Sequence, residues 1–163
     1  MYKIEVSDGG APARGAKISL WAGEPDRLHA EIVAPVGGVA FTLDAGGGRV
    51  CVVDVDAGVA YAGDDGEDAF QALVGLPLTI GDAVAALLHG SAPAGVSVTR
   101  DGGEDGALPS SLRISDARGF LSLSRVRVDR GHAEAGSLGT GIPPERLPVH
   151  PLEDLETALR SRR

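Results

Sequence analysis

The sequence predicts a mainly β fold: a curled, mostly antiparallel sheet with a small helical lid, in a single domain. Three observations predict it. Apolar residues alternate with polar ones in short runs of period two, as in strands with one dry and one wet face. The 24 glycines and 10 prolines fall between those runs and not in one tract, so turns are many and long helices few. Helical spacing appears in only two places, about residues 67–89 and about 151–160. The 163 residues suit one domain, with strands over 2–62, lid helices over about 67–89, strands over about 95–138 and a C-terminal tail carrying the last helix.

The elements follow in order. Tyr2, Ile4 and Val6 alternate with Lys3, Glu5 and Ser7, and Asp8-Gly9-Gly10-Ala11-Pro12 breaks the run. Ala16, Ile18, Leu20 and Ala22 form the apolar side of the next strand, which ends at Gly23-Glu24-Pro25-Asp26. Leu28, Ala30 and Ile32 alternate with Arg27, His29 and Glu31 before Pro35-Val36-Gly37-Gly38 turns the chain again. Val39, Phe41 and Leu43 follow, then Gly46-Gly47-Gly48, a strand from Arg49 to Val55, and a short one near Val59 to Ala62. Six strands in succession read as an antiparallel meander.

The period then changes. Phe70, Leu73 and Val74 share one face of a helix over Glu67 to Val74, stopped by Gly75-Leu76-Pro77. Thr79 is placed as the N-cap of a second helix, with Asp82 in the capping-box position. Ile80, Val84, Leu87 and Leu88 form its stripe, and Gly90 its stop. Strands resume at Val96 and Val98, then at Leu112 and Ile114 beyond an acidic loop over Asp101 to Gly106, and again from Phe120 to Val128. Ala133 to Leu138 is a weaker strand, and Pro143-Pro144 and Pro148 mark extended chain. Leu152, Leu155 and Leu159 line one side of the final helix.

Composition excludes several functions. A net charge of −8 repels a nucleic-acid backbone and fits a monomer in solution. Cys51 is the single cysteine, so no internal disulfide forms, and its apolar run reads as burial. No signal peptide and no membrane-spanning stretch is read. His29, His89, His132 and His150 lack metal-ligand spacing. Asp54 with Asp56, and Asp64-Asp65 with Glu67-Asp68, have no calcium-loop pattern around them. Ser110-Ser111 lacks a nucleophile-elbow context, and Gly46-Gly47-Gly48 joins two strands, so it is no phosphate loop. No cofactor and no catalysis are expected.

A sheet of about ten twisted strands tends to curl, and alternation makes its concave side apolar. With aromatics at only 4%, slender aliphatic chains must fill that concavity under the lid. Two outcomes are open: a packed core, or a gap that admits a hydrophobic guest. The candidate lining is Ile18, Leu20, Leu28, Ala30, Ile32, Val39, Phe41, Leu43, Leu121 and Leu123 from strands, with Phe70, Leu73, Val84, Leu87 and Leu88 from the lid.

One stretch adds to this reading. From Pro25-Asp26-Arg27-Leu28 the chain passes through a strand, the hairpin Ala34-Pro35-Val36-Gly37, further strands ending Ala60-Tyr61, and an acidic loop. A helix then ends Leu73-Val74-Gly75-Leu76-Pro77-Leu78, and a second ends Leu87-Leu88-His89-Gly90. This order resembles the LolA/LolB superfamily, in particular LolB-like outer-membrane lipoprotein domains. The resemblance implies an incomplete β-barrel closed by a helical lid, with a cavity for the acyl chains of lipoproteins or lipids. It implies a carrier or acceptor in the cell envelope, facing the periplasm and associated with the outer membrane. It also places a membrane-contact loop at Pro35, Val36 and Gly37, where Val36 stands for a leucine of the receptor and has about 0.8 kcal/mol less insertion energy for its missing methylene. The alternative is an envelope interaction module with a filled barrel and no ligand.

Overall fold

The chain folds as one open sheet of ten strands with three short helices, in a computed structural model that describes residues 1–8, 14–34, 37–64, 67–104, 106–126 and 145–160. Strands β1 (Tyr2–Asp8), β2 (Arg14–Gly23), β3 (Arg27–Val33), β4 (Val39–Gly46), β5 (Arg49–Asp54) and β6 (Val59–Asp64) form a meander, each antiparallel to the one before. Helices α1 (Glu67–Val74) and α2 (Ile80–His89) follow. A second meander comprises β7 (Ser97–Asp101), β8 (Ser111–Ser115) and β9 (Gly119–Arg125). It joins the first by antiparallel pairing of β9 with β1. The three-residue β10 (Val149–Pro151) lies parallel to β6 on the far edge, and α3 (Asp154–Arg160) ends the described chain. The sheet does not close, because β7 and β10 stay at opposite edges of the order.

This topology explains the lid. β6 and β7 are consecutive strands separated by eight sheet positions, about 38 Å if the sheet were flat. The intervening chain must cross the sheet, and burial of its apolar stripe directs that crossing over the apolar face. There α2 packs on β2 and β3, and α1 packs on β1 and α3.

The concave face carries one continuous cluster. Leu112, Leu123, Ile4 and Ala16 form one cross-strand row, and Tyr2, Ile18, Ile32 and Phe41 form the next. Tyr2, Leu28, Ala45, Val50, Val52, Leu76, Leu78, Ile80 and Leu155 are buried with them. Each buried aliphatic side chain contributes about 1.5–3 kcal/mol relative to exposure. The buried hydroxyl of Tyr2 donates to the carbonyl of Pro109 at 2.7 Å.

Two sequence expectations change here. The run Val39, Phe41, Leu43 was expected on one face, but a bulge intervenes. Ile32 pairs with Phe41 while Val33 pairs with Val39, so Ala40 is the extra residue. The bulge turns Val39 to the side of Val33 and Lys17, away from the concave face. The stretch around Pro148 was read as merely extended, yet it leads into β10. Three residues with exposed side chains carry no burial period from which a strand could be read. The expected strand at Ala133 to Leu138 lies outside the described residues.

Candidate functional site

A cavity of about 70 Å³ remains between the roof helices and the concave face. Its floor begins at Leu112 and Ile114 on β8 and continues through Leu121 and Leu123 on β9 and Ile4 on β1. It extends to Ile18 and Leu20 on β2, Leu28, Ala30 and Ile32 on β3, and Leu43 on β4. Its roof is Phe70 and Val74 from α1 with Ala83 and Leu87 from α2. β8 and β4 are five sheet positions apart, about 24 Å in a flat sheet. Only a strongly curled sheet brings Ile114 and Leu43 to the same small cavity.

The local sequence explains the roof. Ala83 and Leu87 are one helical turn apart, so they share a row on α2. The small Ala83 beside the larger Leu87 leaves room that two leucines would fill. Thr79 caps the helix as its spacing predicts: its Oγ1 accepts from the Asp82 amide at 3.1 Å, and the Asp82 carboxylate accepts from the Thr79 amide at 3.2 Å. Gly90 closes the other end at φ 71°, a left-handed conformation that glycine adopts without strain. Arg100 of β7 then reaches back: its Nε donates to the Leu87 carbonyl at 3.3 Å, and its terminal nitrogen donates to Ala107 at 2.6 Å. This guanidinium ties the end of α2 to the loop after β7.

Every cavity-lining residue is a hydrocarbon side chain. No donor or acceptor among the lining side chains can hold a carboxylate, an amide or a phosphate; burying an unpartnered amide costs roughly 2–7 kcal/mol and an ionised group far more. The site can therefore accept a hydrocarbon segment and rejects a polar one.

Of the residues expected to line a ligand space, Ile18, Leu20, Leu28, Ala30, Ile32, Leu43, Phe70, Leu87, Leu121 and Leu123 are brought together around it. Val84 and Leu88 are buried on α2 but outside the lining, and Phe41 packs against the same cluster without reaching the cavity. Val39 is on the other face, as described above. The Leu73 side chain lies outside what the structure describes, as do Pro35 and Val36 of the expected membrane-contact loop. Gly37, beside them, has a φ of 89° and an exposed position. Sequence reasoning missed Ile4, Leu112, Ile114, Val74 and Ala83 as lining residues. The first three show the correct alternation, but only the pairing of β1 with β9 places them beside β2 and β3. Ala83 gives a signal only as a gap in a helical row.

On the convex face His29, Glu31, Asp44 and Cys51 come together. His29 Nδ1 lies 2.7 Å from Asp44 Oδ1 and its Nε2 lies 3.7 Å from Glu31 Oε1, with the Trp21 ring 5.1 Å away. The Asp44 hydrogen bond raises the His29 pKa above its ordinary value, against a lesser opposing effect of burial. Cys51 pairs across the strands with Asp44. Burial, and then the Asp44 charge, push its thiol up to about 11, so it is held protonated and unreactive. His89 Nε2 meets Glu24 Oε1 at 2.5 Å, and His150 lies beside Tyr61. His132 is outside the described residues. No three His, Cys, Asp or Glu side chains gather as a metal site among the described residues, and no described helix is long and apolar enough to cross a membrane.

The comparisons return no positive assignment: no protein-family model and no curated protein matches the chain.

Proposed function

We propose that this domain is a non-catalytic binder of single aliphatic chains, serving in the cell envelope as a carrier or acceptor of the acyl chains of lipoproteins or lipids. The observation that carries the reading is the all-hydrocarbon space between a curled sheet and a helical roof. The LolB-like order of the segment from Pro25 to Gly90 supports it. On this reading the domain acts as a monomer, with Pro35, Val36 and Gly37 touching the outer-membrane surface from the periplasmic side.

The size of the cavity sets a condition. Ligand pockets typically measure roughly 300–1,000 Å³, and this one is about 70 Å³. A whole acyl chain is accommodated only if the roof moves outward. Sixteen carbons at about 0.8 kcal/mol each supply up to roughly 12 kcal/mol, from which that movement subtracts. The test is titration of the purified protein with a fluorescent acyl probe such as cis-parinaric acid, beside the Ala30→Leu variant. The parent should bind close to one probe per chain. The variant, which fills the cavity floor without adding polarity, should bind at least about tenfold more weakly. A parent that binds no probe removes the proposal.

The small volume favours a second reading, an envelope interaction module with a filled interior. A stable protein partner captured without any lipid would select it.

A further inference from the structure

We propose that residues 145–160 form a latch that holds the α1 half of the roof closed, so that undocking of β10 and α3 admits an apolar ligand; what enters rests on the function proposed above. The argument begins with how weakly β10 is buried. Its three residues pair in parallel with Ala60–Ala62, and all three side chains are exposed. Backbone hydrogen bonds hold it: the Ala60 amide donates to the Pro148 carbonyl at 2.8 Å, and the Leu152 amide donates to the Ala62 carbonyl at 3.1 Å. An edge strand of this kind can leave without breaking the strand pairs beyond β6, and it takes Leu152 and Leu155 with it out of the apolar cluster.

Two leucines then make the fastening. Leu152 sits over Gly63, where a Cβ would lie 2.9 Å from the Leu152 Cβ, closer than such atoms approach. Gly63 is thus a seat that only the lack of a side chain provides. Leu155 is fully buried, in one cluster with Phe70 and Val74, and α3 packs on α1. The inner side of α1 faces the cavity through Phe70 and Val74. Helix α1 is thus sandwiched between the cavity and the C-terminal segment, and removing the outer layer frees the inner one to lift.

Two variants with opposite effects test the latch. Gly63→Val places a side chain in the Leu152 seat and leaves every cavity residue intact. The pair Gly63→Cys with Leu152→Cys, in a Cys51→Ala background, starts with two Cβ atoms 2.9 Å apart, so residue 152 must move outward to the roughly 3.5–4.5 Å that a disulfide uses, and the bridge then holds it to β6. Amide hydrogen exchange without ligand and stopped-flow uptake of cis-parinaric acid are the readouts. Gly63→Val should speed exchange in 67–74 at least about tenfold relative to 80–89, and speed probe uptake. The oxidised pair should slow uptake, and reductant should restore it. Unchanged α1 exchange in Gly63→Val, or uptake indifferent to the disulfide, overturns the latch. If α1 exchange responds as expected but no probe enters the parent, the latch stands and the acyl-chain reading falls.

Discussion

The two roof helices are neighbours in sequence and differ in how they are held. Both end at a left-handed glycine, Gly75 at φ 74° and Gly90 at φ 71°, but α2 adds a capping box at Thr79 and Asp82, the Arg100 guanidinium on its Leu87 carbonyl, and the Gly106 amide donating to its Leu88 carbonyl at 3.1 Å. His89 adds a contact to Glu24 in the turn between β2 and β3. Helix α1 is held by Phe70 and Val74 over the cavity, by packing on β1 and by α3 outside. Directional hydrogen bonds fix a helix in one place. Apolar contacts tolerate sliding and separation, since burial is non-directional. The roof therefore has a fixed wall and a removable panel.

This contrast can be broken most decisively by large-to-small substitutions on the two helices. Leu87→Ala should cost about 2–5 kcal/mol in urea unfolding, the range for a buried leucine. Phe70→Ala removes a larger side chain, yet its cost cannot exceed the free energy that docks α1. We expect it below about 2 kcal/mol. A larger loss for Phe70→Ala than for Leu87→Ala would abolish the distinction. Next in size, Arg100→Ala should cost about 1–3 kcal/mol by orphaning carbonyls of α2 and of the following loop. Its exchange effect should fall on the last turn of α2 and on 101–108, with α1 unaffected.

Thr79→Ala sharpens the comparison further. Losing the cap should cost about 1 kcal/mol and speed exchange in the first turn of α2 only. If α1 amides accelerate equally, the roof is one unit. The smallest effect belongs to the convex face. His29 has a raised folded-state pKa, so its contribution is complete below its unfolded value of about 6.5 and disappears as pH rises through the folded value. Being partly exposed, the interaction is worth less than about 1 kcal/mol. The melting temperature of the parent should fall slightly across that window, and that of His29→Gln should stay flat relative to it, with exchange in both helices unchanged.

Local chemistry was well expressed in the sequence. Strands from Tyr2 to Asp64 follow their alternation, and α1 and α2 appear where the helical period does, with Thr79 and Gly90 at the ends of α2. Where it was not expressed, the cause was non-local. The bulge at Ala40 answers to pairing between β3 and β4, and it moved Val39 off the concave face. Ile4, Leu112 and Ile114 reach the cavity because β9 returns to β1, a pairing between segments more than a hundred residues apart. Leu152 finds its seat only because β10 lands beside β6.

By itself, then, the sequence determined which segments are strands or helices, which residues turn the chain, and that one face of the sheet is greasy. Periodicity and capping act within a few residues, so they are written locally. The tertiary structure alone decided the order of the strands, the direction of the crossing, and the cavity. A cavity is the volume left after side chains from six strands and two helices have packed against each other, and that remainder depends on all of them at once.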